Sequence, residues 1–221
     1  MVQVETTFVD WTRDRSGGVR SDETTIGDSA IKLGLSGRAH VELIVAPFVR
    51  SRVLEDGGRQ TASGFGDLTV AAKYRLTSDE SPVQIAVRPF VKIPAAKRSL
   101  GNGKVEGGIV VPIEYAIAGS ALSLAISPQI DLVADGDGSG HHVAATQVVG
   151  LGFPLSERLS ASAEGLVAWD WDEDGTVRHY AAGGSLAFLV SNDVQLDAGA
   201  NLGLNRNAPD VQVYTGFAIR F

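Results

Sequence analysis

The amino-acid sequence predicts an all-β fold: a single antiparallel transmembrane β-barrel of about twelve strands spanning residues 1–221 as one domain, with short periplasmic turns and longer extracellular loops. Three observations carry that expectation: a period-two alternation of apolar and polar residues along most of the chain, connectors that alternate in length, and aromatic residues gathered near strand ends.

The C-terminal segment shows the alternation in its simplest form. Val211, Val213, Thr215, Phe217, Ile219 and Phe221 share one face of an extended chain, and Gln212, Tyr214, Gly216, Ala218 and Arg220 share the other. The same rule organises Val194 to Leu204, Leu122 to Leu132, Ile109 to Ile117, Val83 to Ile93 and Leu68 to Leu76, and it fits residues 2–10, 25–35, 39–50, 159–171 and 178–190. The stretch from His141 to Leu155 fits worst, because the frame that aligns Val149, Leu151 and Phe153 places Gln147 among the apolar residues; a bulge there would shift the frame. Connectors at 36–38, 78–81, 119–120, 156–158 and 191–193 are short. Those at 12–22, 52–64, 95–104, 134–140, 172–176 and 205–210 are mostly longer and richer in charge and glycine, so the two sets mark opposite rims.

Aromatic residues test the frame, since interfacial girdles place them near strand ends on the lipid side. At the short-turn rim Tyr74, Tyr115, Phe153, Phe188 and Phe221 fall outward; at the long-loop rim Phe8, Trp169, Trp171 and Tyr180 do, while Trp11 falls on the inward parity. A soluble sandwich or lipocalin-like barrel is the alternative, with apolar faces turned inward. The polar face favours the membrane barrel: it alternates Gly, Ala, Ser and Thr with selected charges, as a crowded lumen does, where a solvated surface would be richer in Lys and Glu throughout.

Composition bounds the function. The chain has 26 glycines in 221 residues and 20% charged residues, against usual values of ~7% and ~25%, which disfavours disorder and coiled coil. A net charge of -7 argues against a surface that neutralises nucleic-acid phosphates. There is no cysteine, hence no disulfide framework and no thiolate chemistry. No run approaches the ~20 apolar residues of a membrane helix. Met1 is followed by Val-Gln-Val-Glu without the basic and apolar regions of an export signal, consistent with a cytosolic protein or with a mature form whose signal has been removed.

The run Phe65-Gly66-Asp67-Leu68-Thr69-Val70-Ala71-Ala72-Lys73-Tyr74-Arg75-Leu76 resembles the Gly-Asp-Leu strand of the bacterial outer-membrane family called putative MetA-pathway of phenol degradation. Val105-Glu106-Gly107-Gly108 leading to Pro112 and Tyr115 resembles it too, as does Leu196-Asp197-Ala198-Gly199 leading through Asn205 and Ala208-Pro209-Asp210 to Gly216-Phe217. The terminal Arg220-Phe221 is similar to the C-terminal aromatic signal read by the outer-membrane assembly machinery. The resemblance covers roughly residues 39–221 and implies an outer-membrane barrel passing small, often aromatic or hydrophobic molecules, with outer-membrane lipid and lipopolysaccharide around it. It supplies no catalytic residues.

The inward set holds both signs of charge: Glu5, Asp28, Glu42, Asp67, Glu106, Glu114, Asp131, Glu164 and Asp197 with Lys32, Arg50, Lys73, Arg75, Arg88, Lys92 and Arg220. Two readings remain open: a transverse field that orients solutes in a small pore, and mutually neutralising pairs that fill a narrow barrel. The solute-facing candidates are Glu42, Lys73, Arg88, Lys92, Glu114, Asp131, Glu164, Asp197 and Arg220. Loop carboxylates at Asp135-Gly136-Asp137-Gly138 and Asp170 to Asp174 lack the EF-hand pattern and read as solvated turns. Ser139 beside His141 and His142 invites a lipid-cleaving reading, but no nucleophile-elbow motif surrounds it. Glycine runs at 101–103 and 150–152 have no following helix and read as turns and close packing. No metal, cofactor or catalytic residue is expected. The expectation is an outer-membrane channel for small organic solutes, with a plugged barrel acting through its loops, and then a lipid-modifying enzyme, as alternatives.

Overall fold

The computed structural model describes residues 1–55, 57–173 and 175–221. Its strands are β1 (Val2–Ser16), β2 (Val19–Gly34), β3 (Ala39–Val45), β4 (Phe48–Glu55), β5 (Gly58–Gly64), β6 (Leu68–Arg75), β7 (Val83–Ile93) and β8 (Glu106–Val110), followed by β9 (Ile113–Ala116), β10 (Ser123–Ala134), β11 (His141–Pro154), β12 (Leu159–Asp172), β13 (Gly175–Leu189), β14 (Val194–Gly203) and β15 (Val211–Arg220). Each pairs antiparallel with its neighbours, and β1 pairs with both β2 and β15, so the sheet closes on itself. β3 with β4, β5 with β6 and β8 with β9 are halves of single barrel strands, which makes twelve staves.

Each split has a local cause. Pro112 has no N–H to donate, so the ladder lapses between β8 and β9; Val111 N donates to Pro128 O at 2.9 Å and Ala86 N to Pro112 O at 3.0 Å, which keeps the register through the gap. Ile109 opposes Ile130 and Ile113 opposes Ile126, four residues apart on both staves. The other splits belong to one larger feature. At a single level of the wall, β1 bulges at Phe8, β2 passes through Gly27 at φ 74°, and the next two staves break at Ala46-Pro47 and at 65–67. Because these staves shift together, their mutual registers survive: Ser29 opposes Val45 and Ile26 opposes Phe48 with one offset. Against the unbroken β15 the offset changes, from Thr7 opposite Gly216 to Val9 opposite Thr215.

This dislocation corrects the sequence frame. Beyond it Asp10 opposes Tyr214 and Thr12 opposes Gln212 on the lumen side, while Trp11 opposes Val213 and Thr24 on the outer side. Arg50, expected inward, opposes Thr24 and therefore faces out as well. The expected bulge around Gln147 is absent: β10 and β11 keep one register from Ser123–Gly152 to Ala134–His141. Gln147 stays on the outer face opposite Pro128 and donates its amide to Val148 O at 2.6 Å.

Two of the expected long loops are strand. β1 and β2 run on through 12–22 to a turn at Gly17 (φ 60°) and Gly18 (φ 87°), and β4 and β5 occupy most of 52–64. Their polar composition suggested loops because the hydropathy rule ends where the lipid ends. The backbone ladder does not end there, and cross-strand pairs such as Arg13 with Asp22 sustain it.

Burial settles which face is apolar. Among the described residues the buried hydrophobics are small or few (Val49, Ala71, Ala86, Ala208), and no large side chain is fully enclosed. Ile130, Leu132, Leu151, Leu196 and Leu202 stand exposed on the outside, where a soluble sandwich would have buried them. Tyr74, Phe188 and Phe221 are exposed and Tyr115 and Phe153 half-buried towards the short-turn end; Trp171 and Tyr180 are exposed and Trp169 half-buried towards the other.

Two substitutions test this architecture. Val149→Arg, in the middle of β11 on the exposed face, is expected to cost ~2–4 kcal/mol of folding free energy in lipid vesicles, read from denaturant titration of refolding. Gly27→Val places a β-branched side chain at φ 74° and is expected to cost about 1–2 kcal/mol in the same assay, with outer-face Val70→Ala as an unstrained comparison.

Candidate functional site

Alternation turns one side chain in two towards the barrel interior, and on that face the small residues leave room that charged ones occupy. Lys32 meets Glu5 at 2.6 Å across β1 and β2. Glu42, whose side chain is only 3% exposed, receives Arg88 Nη2 at 2.6 Å and Arg88 Nε at 2.9 Å on one oxygen, and lies 2.7 Å from His40 Nε2 on the other. Lys92 joins Asp67 at 3.1 Å to Glu106 at 2.8 Å. These groups hold one another in place, as the neutralising reading of the charged face requires.

Other charges on this face have no such partner. Among the described residues Lys73, Glu114, Glu164 and Asp197 make no ion pair within 4.0 Å. Lys73 and Asp197 border a cavity of about 600 Å³ together with Glu5, Asp28, Lys32 and Arg88. Towards the short-turn rim this space continues into another of about 800 Å³ bordered by Arg38, His40 and Arg75, the last paired with Asp79. Towards the long-loop rim lies a third, of about 360 Å³, with a different chemistry: Val148, Leu166 and Ala168 form an apolar wall beside Glu164, His179 and Gln212. Gln212 is fixed there, donating to Asp10 Oδ2 at 2.7 Å and accepting from Asn201 Nδ2 at 2.8 Å.

The sequence motifs acquire physical roles. A Cβ on Gly66 would stand 2.8 Å from Ala46 Cβ, so only glycine fits where the dislocation crosses this stave. Asp67, next to it, accepts the Ala96 amide at 2.9 Å and so ties the 94–105 connector inward, and Glu106 accepts the Ala134 amide at 2.9 Å. Asp131 receives both Gln129 Nε2 contacts, at 2.9 and 2.8 Å. Arg220 lies at the rim, bonded to Asn192 O at 2.9 Å and 3.6 Å from Asp193, away from the cavities. Asp10, His40 and Gln212 were not among the candidates from sequence. Asp10 was hidden by the bulge, for which the adjacent apolar pair Phe8-Val9 is the available signal.

The loop residues are occupied with structure. His141 Nε2 meets Val105 O at 2.8 Å, while His142 Nδ1 meets Asp135 at 2.8 Å and its Nε2 lies 2.7 Å from Asp170. The Ser139 amide donates to Asp137 at 2.7 Å and holds that loop carboxyl below its ordinary range. Asp174 lies outside the described residues; among those described, no cluster of three His, Asp or Glu is arranged to hold a metal. Glu42→Ala leaves Arg88 without its partner in the lumen and is expected to cost about 3 kcal/mol of stability, measured as the urea midpoint of the folded, heat-modifiable species.

The family model described as "Putative MetA-pathway of phenol degradation" matches residues 5–221. No curated protein sequence matches the chain. Among solved structures, the COG4313 outer membrane channel from Pseudomonas putida F1 superposes with a TM-score of 0.73 at 15% identity, covering 100% of this chain and 95% of that one. The NanC porin gives 0.61 at 9% identity over 100% of both chains, and the CymD monoaromatic hydrocarbon channel gives 0.54 at 9% identity, covering 100% of this chain and 88% of its own. At such identities the likeness is one of fold. With the family model spanning nearly all of its staves, this chain belongs to the putative MetA-pathway of phenol degradation family and is an outer-membrane β-barrel.

Proposed function

We propose that this barrel is a channel for passive passage of small organic solutes that combine an apolar ring with a charged or polar group. One observation carries the reading: an apolar-walled cavity at Val148, Leu166 and Ala168 lies in series with a cavity where Lys73 and Asp197 have no ion-pair partner among the described residues. A ring is desolvated on the first wall while its substituent meets fixed charge in the second, the mixed lining typical of small-molecule sites. The family description and the likeness to a monoaromatic hydrocarbon channel point in the same direction. Glu42, Arg88 and Lys92 then act as a rigid charged frame, and Lys73, Glu114, Glu164 and Asp197 as the groups a solute meets. The exposed and half-buried aromatics at both ends, from Tyr74 and Phe188 to Trp169 and Trp171, act as interfacial girdles. Phe221, whose N–H donates to Val2 O at 2.8 Å across the closing seam, is both the last rung of the barrel and the signal offered to the assembly machinery.

A plugged barrel acting through its loops is a second reading. It is favoured by the inward lean of two connectors: Leu100 and Lys97 lie against Gly64, and Ala208, 3% exposed, is folded against the top of β14.

Single-channel recording of the refolded protein in a planar bilayer separates them. Discrete openings blocked by a small aromatic carboxylate are expected; stable insertion without conductance would favour the plugged barrel. Arg88→Ala removes a cation and leaves Glu42 unneutralised, and is expected to weaken that block roughly tenfold, equivalent to ~1.4 kcal/mol. Glu114→Ala is expected to shift ion preference towards anions. Unchanged permeability in both variants would remove the lumen field from the mechanism.

A further inference from the structure

The dislocation has an effect on the outside of the barrel. Above it, three cross-strand rows climb the outer face of β1, β2 and β4 towards the long-loop rim. The lowest is apolar: Val9 opposes Ile26, and Ile26 opposes Phe48. The next sets Trp11 against Thr24 and Arg50; the one above sets Arg13 against Asp22 and Arg52. Arg20, opposite Arg15 and Leu54, stands one step higher. With ~3.3 Å of rise per residue, the first basic row begins about 7 Å above the apolar one.

Four arginines therefore surround one carboxylate. Asp22 is buried and engaged twice, by Arg13 Nε at 2.7 Å and by Arg20 Nη2 at 2.8 Å, which fixes those two guanidinium groups. Arg13 is also held over the Trp11 ring, 4.7 Å from its centroid. Among the described residues, Arg50 and Arg52 have no carboxylate partner, and Arg52 Nε is buried without any hydrogen-bond partner. Trp11, Thr24 and the four arginines with Asp22 border a cleft of about 130 Å³, room for a tetrahedral oxyanion with its ester oxygen.

We propose that this cleft docks a phosphate of the acylated, phosphorylated glycolipid of the outer leaflet, lipopolysaccharide. Guanidinium groups bind phosphate through paired N–H donors, and two that are fixed by Asp22 beside two without a carboxylate partner form a preorganised, net cationic cradle. The position selects a lipid: the cradle faces outward at the extracellular edge of the wall, and directly below it Phe8, Val9, Ile26 and Phe48 present exposed apolar surface for acyl chains. An anion destined for the lumen would not meet these residues, because Asp10 and Thr12 occupy the lumen side of the same staves.

The test measures binding of diphosphorylated lipid A, of the same lipid with its phosphates removed, and of inorganic phosphate to the folded protein in uncharged detergent, by native mass spectrometry and titration calorimetry. Diphosphorylated lipid A is expected to bind at least tenfold more tightly than the dephosphorylated lipid. Arg50→Gln with Arg52→Gln, which leaves the Arg13–Asp22–Arg20 lock in place, is expected to abolish that preference, and Arg52→Lys to retain part of it. Arg178→Gln, opposite Trp169 on the outer face of the distant β13, is expected to leave it unchanged. Each variant is compared only after its heat-modifiable folded form has been isolated. Equal binding of both lipids by the native protein, full preference in the double variant, equal loss in Arg178→Gln, or inorganic phosphate binding as tightly as the lipid would each overturn the proposal. Conductance is read separately, so a failed channel would not be mistaken for a failed lipid site.

Discussion

Every stave of this barrel depends on the pairing of β1 with β15. In hydrocarbon an unpaired amide or carbonyl costs several kcal/mol, so a sheet of this length is tolerable in a membrane only if its two edges meet. Val2 and Phe221 exchange both backbone bonds at that seam, and the ladder then runs to Arg13 opposite Val211. Closure fixes which face is which. Once the ring is shut, the alternating positions with bulky apolar side chains have lipid as their only apolar surroundings, and the small and charged positions share an enclosed space.

The seam also explains why the dislocation is a coherent feature. A bulge in β1 alone would break its pairing on both sides. Because Gly27, Ala46-Pro47 and Gly66 bend the following staves at the same height, the rungs from β1 to β5 keep their partners, and the mismatch is confined to β15 on one side and to the free edge of β5 on the other. Glycine at φ 74°, proline without an N–H and a glycine against Ala46 are three residue types suited to one bend. The result is a patch of wall whose faces are exchanged relative to the sequence frame, so that Arg50, expected in the lumen, stands outside and Asp10 stands inside.

Inside, the charged face resolves into two populations. Lys32–Glu5, Arg88–Glu42 and Lys92 with Asp67 and Glu106 neutralise one another at distances of 2.6–3.1 Å, while Lys73, Glu114, Glu164 and Asp197 do not pair among the described residues. A low-dielectric wall makes the first group a scaffold, since removing one member leaves its partner exposed to a field it no longer balances. In the second group Lys73, Asp197 and Glu164 border the cavities, so their charge is balanced by no ion pair within the wall.

The sequence by itself determined the fold class, the number of staves and the side on which most residues lie, because period two is a local property: Leu196 and Asp197 face opposite ways wherever the strand sits. It also determined the regular frame at β10, β12, β13 and β15. It could not determine the extent of β1, β2, β4 and β5, since beyond the lipid their hydropathy no longer alternates while their hydrogen bonds continue. Nor could it determine which charges pair: Glu42 and Arg88 are 46 residues apart, and only the order of the staves brings them to 2.6 Å. The outward turn of Arg50 was decided by tertiary structure alone, because a bend shared by four neighbouring staves leaves each stave's own pattern almost unmarked and is visible only in the registers between them.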